Sequence, residues 1–106
     1  MPNRKLSQAG LFAALGDQTR LHIVACLSDR GPMSIAGLTK GSRITRQAVS
    51  KHLRVMERSG VVHHKRSGRE SVWELEYRAL DQARRYLDAI SKQWDDQLLR
   101  LRRLVE

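Results

Sequence analysis

At 106 residues the chain is expected to form one domain, spanning 1–106, with a core of modest size. Its 20 lysines and arginines against 11 acidic residues give a net charge of +9 and a pI of about 10.8, which favours polyanionic partners, nucleic acid first. One cysteine, Cys26, excludes an intrachain disulfide and a Cys-x-x-Cys zinc or redox motif, and no apolar run reaches about 18 residues, so a cytoplasmic protein outside the membrane is expected.

In chain order, Leu6 to Leu15 reads as a short first helix with Leu11, Phe12 and Leu15 as its apolar members, stopping at Gly16. Asp17 then caps a second helix to about Ser28. Leu21, Val24 and Leu27 or Ser28 form its inner side, with Ile23 and Cys26 beside them, so a small buried thiol is the expectation for Cys26. Asp29-Arg30-Gly31-Pro32 ends that helix, and Ser34 can cap a brief helix through Lys40 that buries Ile35 and Leu38. Gly41-Ser42 supplies a turn, Ile44 re-enters the core, and Thr45 caps the next helix.

That helix, within TRQAVSKHLRVMERSG at 45 to 60, has two faces. Val49, Leu53 and Met56 recur at spacings of four and three, which sets them on one inward stripe flanked by Ala48 and Val55. Arg46, Gln47, Ser50, Lys51 and Arg54 share the other surface, where cationic forks, an amide and a hydroxyl can read base edges and grip phosphates. A solvated surface helix has the same pattern, and these residues alone leave both readings open. A short helix, a tight turn and a basic helix together have helix-turn-helix spacing.

After Gly60 the period changes to two. Val61 to Arg66 and Arg69 to Tyr77, where Trp73, Leu75 and Tyr77 alternate with Val72, Glu74 and Glu76, read as a two-stranded hairpin turning at Ser67-Gly68. Lys65, Arg66 and Arg69 surround its tip, a shape that suits a phosphate backbone or the minor groove, although surface hairpins also carry such cations for solubility. A long helix from Ala79 to about Leu104 closes the chain. Its apolar residues Leu80, Ala83, Leu87, Ile90, Trp94, Leu98, Leu101 and Val105 form a near-heptad seam. At about 1.5 Å per residue this helix extends close to 40 Å, more than so small a domain covers, so a second copy is expected on part of it as well as packing against Leu11, Phe12 and Leu15. The architecture expected is mainly α with a small β-hairpin, about five helices plus a two-stranded wing.

Three stretches, ALGDQTRLHIVACL at 14 to 27, QAVSKHLRVMERSGVV at 47 to 62 and RSGRESVWEL at 66 to 75, together resemble the ArsR (arsenic-repressor-like) family of bacterial winged helix-turn-helix regulators. The serine, histidine and leucine of VSKHL, the glycine of RSGVV and the glycine-arginine wing tip follow that family's order and spacing over nearly the whole chain. The resemblance implies a homodimer joined through the first and last helices, here Leu11, Leu15, Leu87, Ile90, Trp94, Leu98 and Leu101. Two recognition helices would enter successive major grooves of a pseudo-palindromic operator, half-sites about 34 to 36 Å apart. It places Thr45, Arg46, Gln47, Ser50, Lys51 and Arg54 at recognition-helix positions and Arg66 and Arg69 at the wing. For His52 two readings stay open, a phosphate contact or a half-buried structural histidine.

Many members of the family sense metals through a cysteine-x-cysteine pair, where this chain has Ser34 and Ala36, and neither replaces a soft thiolate. A second metal site of the family needs a histidine on the last helix, and none follows His64. His63 and His64 are strand neighbours that point to opposite faces, so no metal and no cofactor is expected. Gln18 stands where many members have proline, which weakens the helix start slightly.

The function expected is a dimeric, sequence-specific regulator, most simply a repressor, that binds double-stranded DNA through helix 45–58 and wing 61–76. Two alternatives stay in view: a basic architectural or RNA-coating protein without base readout, and a regulator switched by oxidation of Cys26. With five aromatics, of which Trp73, Tyr77 and Trp94 sit in apolar patterns, a stacking platform for RNA is poorly supported. No Ser-His-Asp context, paired-carboxylate pattern or phosphate-cradling loop suggests an enzyme, and the sequence shows no pocket for an inducer.

Overall fold

In the computed structural model, which describes residues 8–105, helix starts follow the polar side chains that can satisfy the first unpaired amides. Leu6, the expected start of the first helix, lies outside the described residues. After α1 (Gln8–Leu15), Asp17 accepts the Arg20 amide at 3.0 Å and opens α2 (Gln18–Arg30). Ser34 accepts from Gly37 and opens α3 (Ile35–Thr39), and Thr45 accepts from Ala48 and opens α4 (Arg46–Arg58). All three caps were legible as such, each a small oxygen-bearing side chain before an apolar period.

Gly60 ends α4 in a way that sets the rest of the chain. At φ 78 it adopts the left-handed backbone that favours glycine, its amide bonds to the Glu57 carbonyl, and the Val61 amide bonds back to Met56 at 2.9 Å. This closure turns the chain so that Val61, fully buried, drops into the core and β2 (Val62–Ser67) begins. Strand β3 (Glu70–Leu75) returns antiparallel, with His64 opposite Trp73 and Ser67 opposite Glu70. The two-residue turn is therefore Gly68-Arg69, one residue later than expected, and only Gly68 has positive φ. Tyr77 belongs to α5 (Tyr77–Val105) rather than to the strand.

The architecture is the winged helix-turn-helix expected, five helices with a hairpin wing, plus a short strand that sequence periodicity did not reveal. Met33 and Ser34 form β1, which pairs antiparallel with β3 through Met33–Trp73 and Ser34–Val72, so the sheet order is β1-β3-β2. This third strand clamps the start of the helix-turn-helix to the wing.

One core unites the elements. Leu11 and Ala14 of α1, Ile23 and Leu27 of α2, Leu38 of α3, and Val49, Leu53 and Met56 of α4 are buried with Val61, Val62, Trp73, Leu75, Ala79 and Ala83. The inward stripe of α4 is as its spacing requires. In α2 the phase differs: Leu21 is 51% exposed and the buried pair is Ile23 and Leu27, four residues apart. Ile35 packs only at the edge of the core.

Candidate nucleic-acid interface

Because Val49, Leu53 and Met56 fix the rotation of α4, the opposite face is forced outward. Arg46, Gln47, Lys51 and Arg54 are exposed there, Ser50 is half-buried beside them, and exposed Thr45 stands at the helix start. Among the described residues, the side chains of Arg46, Gln47, Ser50, Lys51 and Arg54 have no hydrogen bond or ion pair within the chain. Three cationic forks or ammonium groups, an amide and a hydroxyl thus face outward with their bonding capacity free, on a rigid element of major-groove width. Arg43, exposed in the turn leading into α4 and likewise unpaired, extends this surface. The sequence reading omitted Arg43, and its place two residues before the helix cap was the available signal.

The wing cations are less uniform than their number suggests. Arg69 is exposed and free of in-chain partners. Arg66 bends over the turn, its Nε 3.4 Å from the Gly68 carbonyl oxygen. Lys65 pairs with Glu74 at 3.0 Å on the hairpin face away from α4. The same carboxylate receives His63 Nε2 at 2.8 Å, and the Lys65 contact followed by the His63 contact hold the Glu74 carboxyl below the usual glutamate range. His63 Nδ1 lies 3.3 Å from Glu76 without hydrogen-bonding geometry.

His52, half-buried, has Nδ1 3.4 Å from Nη1 of Arg20. That arginine also donates to the carbonyls of Ala14 at 2.6 Å and Ala13 at 3.4 Å, completing the C-terminal end of α1. So the histidine of the VSKHL motif is joined to the α1–α2 junction. Cys26 is half-buried rather than enclosed, with Sγ 3.6 Å from His22 Nε2 beside an open pocket of about 240 Å3. Ser34 is engaged as a helix cap, and no group of three histidine, cysteine or acidic residues able to hold a metal occurs among the described residues.

The residues named for self-association divide between two environments. Leu11 is 1% exposed in the chain's own core and Leu15 packs at its edge. Leu87, Trp94, Leu98 and Leu101 are more than half exposed, and Ile90 is intermediate. Near the base of α5, Phe12 and Tyr86 meet with ring centroids 5.6 Å apart.

A free polar face on the second helix of a helix-turn-helix, with a basic hairpin beside it, defines a winged helix-turn-helix DNA-binding fold. The family model described as a helix-turn-helix domain matches residues 15–65. A Bacillus subtilis protein, the uncharacterized helix-turn-helix-type transcriptional regulator YuzN, is 43% identical over 68 residues, covering 58% of this chain and 74% of that protein. The helix-turn-helix-type transcriptional regulator Rv2034 of Mycobacterium tuberculosis is 34% identical over 77 residues, covering 73% of this chain and 71% of that protein. The solved structure of an ArsR-like transcriptional regulator from Rhodococcus sp. RHA1 superposes with a TM-score of 0.80 at 33% identity, covering 92% of this chain and 89% of that one. The chain belongs to the ArsR-like family of winged helix-turn-helix transcriptional regulators.

Proposed function

We propose that the chain, as one unit over 1–106, is a homodimeric, sequence-specific repressor that binds a pseudo-palindromic operator in the cytoplasm and blocks promoter access. The observation that carries this is the unpaired outward face of α4, on which Arg46, Gln47, Ser50, Lys51 and Arg54 have no partner within the chain. A face meant only for solubility needs charge, whereas base readout needs donors and acceptors of several kinds on one side of a rigid helix. Thr45 and Arg43 reach phosphates at the helix start. Arg66 and Arg69 follow the backbone at the wing, Lys65 contributes charge while paired to Glu74, and His52 supports the helix from behind rather than touching DNA. Among the described residues no helix is long and apolar enough to cross a membrane, in keeping with a regulator of DNA in the cytoplasm.

Self-association is inferred from α5, whose apolar arc continues past the part that its own chain covers. Two copies joined there would present two α4 helices, and a spacing of about 34 to 36 Å between half-sites would match one turn of DNA.

Selection of bound fragments from random duplex DNA tests the reading directly, since it returns both a sequence and a half-site spacing. With about six to eight phosphates neutralised, affinity should fall by orders of magnitude between low and moderate salt while the preference over random DNA persists as a ratio. Arg46→Ala and Gln47→Ala should lose discrimination at particular base pairs, by about 1–3 kcal/mol each, and Arg69→Ala should weaken all duplexes evenly. Equal loss on operator and random DNA in all three variants would leave a basic coating protein as the better account.

A further inference from the structure

Glu57 is out of place for a protein that binds a polyanion. It follows Ser50 by seven residues, as Ser50 follows Arg46 by four, so its carboxylate stands at the end of the same stripe of α4 that is to face phosphates. The wing has a complementary oddity. Its base is anchored by buried Val61, Val62, Trp73 and Leu75, but His64 to Ser71 are exposed, and at about 3.3 Å per residue the turn stands roughly 15 Å beyond Val62. A small rotation at such a base is magnified at the tip, where Arg66 and Arg69 must meet DNA.

These two features meet. His64 Nδ1 lies 2.5 Å from Glu57 Oε2, and the imidazole rests against the buried Trp73 ring, with centroids 4.6 Å apart. Among the described residues this is the one hydrogen bond or ion pair between the exposed half of the hairpin and any helix. Register places His64 and Arg66 on the hairpin face that carries Val62, Trp73 and Leu75, the face turned to α4. The contact therefore ties the last turn of the recognition helix to the strand about halfway to the tip.

We propose that Glu57 and His64 are positioning residues for DNA binding, a brace that fixes the wing relative to α4 so that both can engage one duplex. Neither needs to touch DNA, and the proposal rests on the DNA-binding reading above. Its consequence runs against simple electrostatics. Removing an acidic group beside phosphates should tighten binding, but removing a brace should weaken it.

The test uses the full chain and a duplex selected by it, with affinity read by fluorescence anisotropy. Glu57→Ala should weaken binding about two- to fivefold, the range expected for a half-exposed charged contact. Glu57→Gln, which keeps an oxygen acceptor for the His64 N–H, should bind within about twofold of the unmodified chain. In an Arg66→Ala, Arg69→Ala background Glu57→Ala should bring no further loss, because the tip has nothing left to place. Equal or tighter binding by Glu57→Ala, or the same loss with and without the wing arginines, would overturn the brace while leaving DNA binding intact. Failure of the unmodified chain to select any duplex would overturn both.

Discussion

Asp17 shows how one side chain serves both a helix and a junction. Its carboxylate accepts the Arg20 amide, and this bond, with smaller help from the Arg20 and His52 charges and against some desolvation, holds its pKa below the usual aspartate value. A lowered native pKa means that the ionised form is the one the fold favours. The stabilisation is complete above the unfolded value of about 3.9 and is lost as pH falls through the lower native value. Asp17→Ala should therefore melt below the unmodified chain at neutral pH, with the gap closing as pH drops under about 4. Thermal melts across that range decide it, and a gap that stays constant would mean that the charge contributes nothing. Leu53 acts at the same scale by packing alone. It is fully buried behind the recognition face, so Leu53→Ala should cost about 2–5 kcal/mol in denaturant unfolding. Set against a total stability of about 5–15 kcal/mol, that is a large share, so any loss of DNA binding in this variant should track the unfolded fraction rather than a lost contact.

Elements differ in how far their own residues determine them. Helix α4 was legible throughout because its cap, its inward stripe and its terminating glycine lie within sixteen consecutive residues and agree with one another. In α2 apolar residues occur nearly all round, at Leu21, Ile23, Val24, Cys26 and Leu27, so local spacing fits more than one inward stripe and the neighbouring elements select Ile23 and Leu27. Strand β1 is two residues long and exists only through pairing with β3 some forty residues later, which leaves no local period to read. At the candidate interface the cationic face of α4 was legible for the same reason as its core stripe, since each implies the other. The pairing of Lys65 with Glu74 and of His64 with Glu57 was not, because cross-strand and strand-to-helix partners depend on register. The wing turn depends on Gly68, at φ 64 with open space where a Cβ would stand. Gly68→Ala should thus meet backbone strain alone, about 1–2 kcal/mol against the turn. Weakened DNA binding with a nearly unchanged global melt is the expected outcome, and unaltered affinity would show that the tip needs no fixed shape.

At the scale of the molecule, α5 is longer than its own chain can cover. Its 29 residues extend about 43 Å at 1.5 Å per residue, yet only Ala79 and Ala83 are buried. Trp94 at 62%, Leu98 at 55% and Leu101 at 58% exposure lie on the arc that, nearer the start of the helix, carries those two alanines. One continuous apolar arc with one end packed and the other bare is what the self-association proposed above rests on. Leu98→Arg with Leu101→Arg adds two charges to that bare end without touching the core, so the variant should stay folded and helical, melt lower by the stabilisation that association supplied, and sediment as a monomer at micromolar concentration. Joining two DNA-binding units multiplies overall affinity by about 10²–10⁴, and the monomer should lose that factor on a two-half-site duplex while keeping its affinity for a single half-site. A variant that still sedimented as a dimer would move the proposed interface off α5. A monomer that bound the full site as tightly as before would refute something larger, the idea that two linked α4 helices read it together.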